Sequence, residues 1–111
     1  MKTEIAVIGG GASGMMAAIT ARKSGKEVLV LERKDRILKK VLITGNGRCN
    51  ITNVNANISN YFGKNISSVE NILNSFNPQD TMDFFNGLGI VCNEENRGKV
   101  YPLSGQASSV M

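Results

Sequence analysis

The sequence predicts an α/β fold that begins with a Rossmann-like β–α–β unit. Three observations predict it. An apolar run at Ile5–Ile8 leads straight into Gly9-Gly10-Gly11-Ala12-Ser13-Gly14. A small-residue stretch, Met15 to Ala21, follows. A second apolar run, Glu27–Leu31, then closes on the acid Glu32. Strand, glycine turn, helix, strand and acid in that order are the sequence signature of a dinucleotide-binding turn.

Each element has its own reason. The first strand is expected over Glu4–Ile8 and the first helix over Ser13–Lys23. Between them, Gly9 allows a tight exit from the strand, and Gly11 lets a pyrophosphate approach the backbone. Gly14 lets the helix pack close to the sheet. The amides of Ala12 and Ser13 lie at the helix N-terminus, where free N–H groups and the positive dipole end attract phosphate. Ala18 lies four residues beyond Gly14, on the same helical face. Gly25 suits a helix C-cap. The run Glu27–Leu31 is rich in strand formers. Glu32 at its tip can accept both hydroxyl hydrogens of an adenosine ribose.

The middle of the chain is less regular. Arg33, Lys34, Arg36, Lys39 and Lys40 cluster against Asp35 alone. The cluster reads either as a solvated loop or as a flank for the anionic part of a cofactor, with Arg33 and Lys40 as contacts. Nucleic-acid binding is not favoured, because no aromatic residues are interleaved with the charges. Val41–Ile43 is a short apolar run, followed by the polar loop Thr44–Asn50. In that loop Thr44, Gly45 and Gly47 offer backbone groups with little steric bulk, suited to close approach. Arg48 can make charge-assisted hydrogen bonds to phosphate or carboxylate. Asn50 can both donate and accept. Cys49 reads as a small buried residue rather than a redox thiol. The asparagine-rich stretch 53–65 reads as loop.

Helical character returns at Ser67, where Ser67 and Glu70 fit a capping box and Val69, Ile72, Leu73 and Phe76 keep helical spacing. Asn77, Pro78 and Asp80 suit the cap, first position and first turn of another helix. Met82, Phe84, Phe85 and Leu88 supply its apolar face, and Phe76, Phe84 and Phe85 are expected in the core. Ile90–Cys92 and Lys99–Tyr101 read as short strands joined by a polar turn.

Composition bounds the class. At 111 residues the chain is one domain or less. Gln106–Met111 reads as the start of a further helix, which suggests a fragment of a longer protein. There are two cysteines, not in a CxxC pair, and no histidine, so no metal site is expected. No apolar run approaches membrane-spanning length, and the strand beginning so near Met1 leaves no room for a signal peptide, so a cytoplasmic protein with reduced thiols is expected. The sequons at Asn50, Asn57 and Asn65 read as coincidental.

Three stretches give the chain a recognisable family. Ala6–Gly14 (AVIGGGASG) with Glu32 is shared by many two-dinucleotide flavoproteins. Lys39–Asn53 (KKVLITGNGRCNITN) is the specific one. Asp83–Ile90 (DFFNGLGI), Arg97–Ser104 (RGKVYPLS) and Gln106–Val110 (QASSV) complete the match. With these, the chain resembles the BaiN/YhiN-type flavoproteins, also described as aminoacetone oxidase-like or NAD(P)/FAD-dependent oxidoreductases. The resemblance implies the incomplete start of a two-dinucleotide-binding flavoprotein fold, with residues 1–111 as the N-terminal segment of a discontinuous FAD-binding domain. It implies FAD as cofactor, NAD(P)H as a candidate electron donor and a small-molecule substrate of unknown identity. The segment alone is expected to be inactive and to self-associate through exposed apolar surface. One departure is Leu38, where the family usually has glycine. Leucine does not adopt φ > 0 cheaply, so a different local path of the loop is expected. The competing readings are an NAD-binding module, which Glu32 suits equally, and a non-catalytic nucleotide-binding fragment. No side chain presents itself as a general acid or base.

Overall fold

A computed structural model describes residues 1–111. The chain begins with β1 (Ile5–Ile8), α1 (Ala12–Lys23) and β2 (Val28–Leu31). The two strands pair in parallel, from Ile5 opposite Val28 to Ile8 opposite Leu31. Parallel pairing requires a crossover, and α1 supplies it. The helix lies on one face of the strand pair with Ala18 buried beneath it. It stops through a paired C-terminal motif. Gly25, at φ +82°, donates to Arg22 O, and Lys26 N donates to Ala21 O. These bonds satisfy carbonyls that the helix end leaves open. The α/β class and the β–α–β start are therefore as the sequence predicts, with strand ends trimmed by a residue.

A second unit is built around β5 (Lys99–Pro102), which lies between β3 (Thr52–Asn53) and β4 (Cys92–Glu94) in an antiparallel sheet. Val100 at its centre is fully buried. Helix α2 (Ile66–Ser75) packs on the turn at Ile58–Asn60, and α3 (Pro78–Gly87), which follows it, packs beside this sheet. Helix α3 starts as expected. Asn77 Oδ1 accepts from Asp80 N at 2.8 Å, and Asp80 Oδ2 accepts from Asn77 N at 2.9 Å. Short 3-10 turns at Val41–Gly47, Ile58–Asn60, Asn96–Gly98 and Ala107–Val110 complete the chain. No helix is long and apolar enough to cross a membrane.

Four expectations need correction. Helix α2 begins at Ile66 with Asn65 as its cap, so Ser67 lies inside it and the Ser67–Glu70 capping box does not form. The helix winds earlier because Asn65 O already accepts from Ser68 N and Val69 N. Strand β4 begins at Cys92 rather than Ile90, because Ile90 N is bonded to Phe85 O as part of the stop of α3. Leu38 does adopt φ +55°. The left-handed conformation costs about 1–2 kcal/mol. Burial of the Leu38 side chain and a 2.7 Å bond from its amide to Gly10 O offset that cost. Finally, Phe76, Phe84 and Phe85 are not core. They meet edge to face, with centroids 6.5 and 5.2 Å apart, but none is buried and Phe76 is 39% exposed. Lys23 Nζ sits 5.2 Å from the Phe84 ring centroid, which ties the end of α1 to α3.

The core is small for the chain, with 8 of 111 residues buried. Parallel strands are normally covered on both faces. Here α1 covers one face, on which Ile5 and Val7 are half-buried, while Ala6, Ile8 and Leu31 are exposed on the other. The reciprocal cap of α3 is the best-defined local stabiliser of the second unit. Asn77→Ala is expected to lower stability by about 1 kcal/mol, read as an earlier thermal melt by far-UV circular dichroism. An unchanged melt would show that the cap carries no stability.

Candidate dinucleotide-binding site

Each glycine of the first turn has its own cause. Gly9 stands at φ +100° and still donates to Leu31 O at 2.8 Å, so the turn starts from the paired end of the sheet. Gly14 faces that same residue. A Cβ on Gly14 would lie 1.9 Å from Gly9 O, an impossible contact, so the helix reaches this depth only because no side chain is there. Gly11 is the N-cap of α1, with φ −80° and ψ −174°, and nothing lies within 4 Å of where its Cβ would be. Its absent side chain is not required by the fold; it leaves space in front of the turn. The first helical bond runs from Met15 N to Gly11 O at 2.9 Å. The amides of Ala12, Ser13 and Gly14 precede it, and no side chain caps them. Gly11, Ala12 and Ser13 are exposed. The turn thus offers open N–H donors at the positive end of a helix dipole, as an anion requires.

Glu32 is fixed beside this turn. Its Oε2 accepts from Gly10 N and its Oε1 from Lys34 N, both at 2.7 Å. These amides, that of Lys34 first, hold the carboxyl below the ordinary value of 4.5, so Glu32 is charged at neutral pH. Each oxygen keeps acceptor capacity for another donor. A groove of about 240 Å³ runs past Glu32, Gly10, Gly11, Lys34, Arg36 and Lys40. Lys40 therefore belongs to the groove, whereas Arg33 is exposed and lies outside its lining. Lys39 is occupied in a 2.8 Å ion pair with Asp35.

Gly10 lines the groove too, and the sequence reading passed over it because the motif leaves its position free. Its amide binds Glu32, its carbonyl accepts from Leu38 N at 2.7 Å, and a Cβ there would lie 2.6 Å from Ile37 Cγ2. The requirement comes from a loop folding back more than twenty residues later, which local spacing does not reveal.

The loop Thr44–Asn50 forms a second centre, against the β4–β5 hairpin. Gly45, Asn46, Gly47 and Cys49 all have positive φ, at 53°, 56°, 82° and 58°. The chain therefore coils tightly, and a Cβ on Gly45 would lie 2.4 Å from Asn50 N. Thr44 Oγ1 donates to Val41 O at 2.6 Å. Cys49 is buried, as expected. Asn50 Nδ2 donates to Thr52 O at 2.9 Å and to Val100 O at 3.1 Å, which moors the loop on β5. Arg48 forms an ion pair with Glu95, and its guanidinium lies 4.1 Å from the Tyr101 ring centroid. The pairing lowers the Glu95 carboxyl and raises the Arg48 guanidinium from their ordinary values. Glu95 and Tyr101 are further residues that sequence reading missed; Glu95 stood in a stretch read only as a polar turn. No group of three or more histidine, cysteine or acidic residues is placed to hold a metal.

The two inner glycines make opposite predictions. Gly11→Val should leave fold and melting temperature unchanged but block dinucleotide uptake in the full-length protein. Gly14→Val should destabilise the protein itself, since backbone rather than a flexible side chain stands in the way. Thermal melts and dinucleotide titration check both; a Gly11→Val protein that binds normally would remove the turn from the site.

The model of the HI0933-like protein Rossmann domain matches residues 3–111 of this chain. The chain is 45% identical over 109 residues to the 3-dehydro-bile acid delta(4,6)-reductase of Clostridium scindens, covering 96% of this chain and 26% of that protein. It is 32% identical over 95 residues to the ribosomal RNA dihydrouridine synthase of Escherichia coli, covering 86% and 24%. It is 30% identical over 99 residues to the enzyme of that name from Haemophilus influenzae, covering 89% and 25%. The chain spans about a quarter of the length of these curated relatives. The family match runs through the glycine turn, Glu32, the Thr44–Asn50 loop and the β4–β5 hairpin alike, so the chain belongs to the HI0933-like Rossmann-domain family of BaiN/YhiN-type flavoproteins.

Proposed function

We propose that the chain is the N-terminal segment of a discontinuous FAD-binding domain in a flavin-dependent oxidoreductase. The observation that carries this is the anchored Glu32 carboxylate beside uncapped amides at the start of α1. The residues present fit the adenosine and pyrophosphate end of such a cofactor. The amides of Ala12, Ser13 and Gly14 bind the pyrophosphate, with Gly11 leaving it room. Glu32 accepts the ribose hydroxyls, and Lys40 adds positive charge along the groove. FAD, when bound, supplies the hydride chemistry, and the protein binds and orients it. The Thr44–Asn50 loop supports FAD over NAD, because a plain nicotinamide-dinucleotide fold does not need it.

The relatives' names describe reductions that add hydrogen to a double bond. A reductive reaction on an unsaturated small molecule is the reading these names support for the whole protein, and NAD(P)H is the electron source proposed with it. The preference for a small molecule follows the 45% relative. Both cysteines are free thiols, which suits the reducing cytoplasm proposed as its compartment.

The test is the full-length protein. It should purify yellow, with flavin absorption bands that bleach on adding NADPH or NADH. Glu32→Ala should weaken FAD binding by at least about 1 kcal/mol. A colourless protein that binds NAD alone would support the NAD-module reading, and one that binds no dinucleotide would support a non-catalytic role.

A further inference from the structure

Gly10 holds the basic loop at both ends. Its amide donates to Glu32 Oε2 and its carbonyl accepts from Leu38 N, each at 2.7 Å. Residues 32–38 therefore close a ring on one glycine. Within the ring, Lys34 N donates to Glu32 Oε1, also at 2.7 Å. Both Glu32 oxygens thus take their direction from amides that the ring contains or closes upon. The bond from Leu38 N is the one main-chain bond that ties residues 33–40 to the glycine turn.

Leu38 makes that bond from a costly conformation. Its φ is +55°, a region that glycine enters freely and leucine does not. Residues kept in such a conformation are held there by their surroundings, and they gather at ligand sites. Arg33, Lys34, Asp35, Arg36, Lys39 and Lys40 are all exposed, and the loop's one ion pair, Lys39 to Asp35, lies within the loop itself. Ile37 and Leu38 are its two apolar residues. Ile37 Cγ2 occupies the space where a Gly10 Cβ would stand. Leu38 is 8% exposed and lines the groove together with Gly10, Gly11 and Glu32. These two side chains and one amide are what keep a loop of solvated charges on the turn.

We propose that Leu38 is a positioning residue of the dinucleotide site: it latches residues 32–38 onto Gly10 and so fixes the direction of the Glu32 carboxylate towards the adenosine ribose. This rests on the flavin-binding reading above. Leu38 acts through Glu32, so its contribution to binding exists only while Glu32 is present.

The experiment is a titration of the full-length apoprotein with FAD and, separately, with ADP, which carries the adenosine and pyrophosphate alone. The proteins are wild type, L38G, L38M, E32A and the L38G/E32A double variant, with a thermal melt of each. L38G should bind both ligands about three to ten times more weakly, the loss expected when one charge-assisted hydrogen bond is no longer preformed. L38M keeps the apolar bulk and should recover most of the affinity. In the E32A background L38G should change affinity less than about twofold, because residues that act through one another do not add. A merely structural Leu38 would show the same loss in both backgrounds. Should L38G melt early, Ile37→Ala tested with and without E32A reads the same coupling. Equal affinities in wild type and L38G, a loss for FAD without one for ADP, or an L38G loss that persists undiminished without Glu32 overturns the proposal alone. A wild-type protein that takes up no FAD overturns the flavin reading and this proposal with it.

Discussion

The approach of α1 to the end of β1 is the constraint on which the rest of the molecule depends. With Gly14 pressed against Gly9 O, the helix axis is fixed relative to the strand pair. That contact decides where the uncapped amides of the first turn point. It also sets where β2 ends, because Gly9 N is still bonded to Leu31 O and Glu32 follows directly. The uncapped amides at the start of α1 and the Glu32 carboxylate, which Gly10 N holds, thereby belong to one turn. Neither group needs a special environment, since both are placed by backbone geometry.

The second organising element is β5. Val100 is fully buried at its centre, and its carbonyl accepts both from Ile51 N at 2.8 Å and from Asn50 Nδ2 at 3.1 Å. The coiled Thr44–Asn50 loop, with its run of positive φ angles, keeps its shape because this strand receives it. Arg48 and Glu95 then meet across 47 residues of sequence. The molecule therefore has two locally organised places, one at the glycine turn and one at the hairpin, each held by main-chain bonds. Ile8, Ile43 and Phe62 are 77%, 76% and 91% exposed.

What was legible in the sequence was what short stretches encode. Gly9, Gly11, Gly14 and Glu32 are a local pattern, and their elements form where the pattern puts them. The Asn77–Asp80 cap is equally local and equally readable. The Ser67–Glu70 box had the right spacing but lost to Asn65, whose carbonyl starts the helix earlier. Gly10, Glu95 and Tyr101 were invisible because their reasons are long-range: Ile37 packing on Gly10, and a hairpin folding under Arg48. The three phenylalanines mislead for a related reason. Helical spacing identifies an apolar face but not how completely another element covers it, and in this structure Phe84 and Phe85 are half-buried while Phe76 stays exposed.

The most direct measurement is a crystal structure of the full-length protein with its dinucleotide bound. The account places the adenosine ribose hydroxyls within hydrogen-bonding distance of Glu32, which keeps its bonds to Gly10 N and Lys34 N. The pyrophosphate is expected against Gly11, with its oxygens on the amides of Ala12, Ser13 and Gly14. A cofactor seated away from the Gly9–Gly14 turn, or a ribose held by other residues while Glu32 bonds only its own backbone, would contradict it.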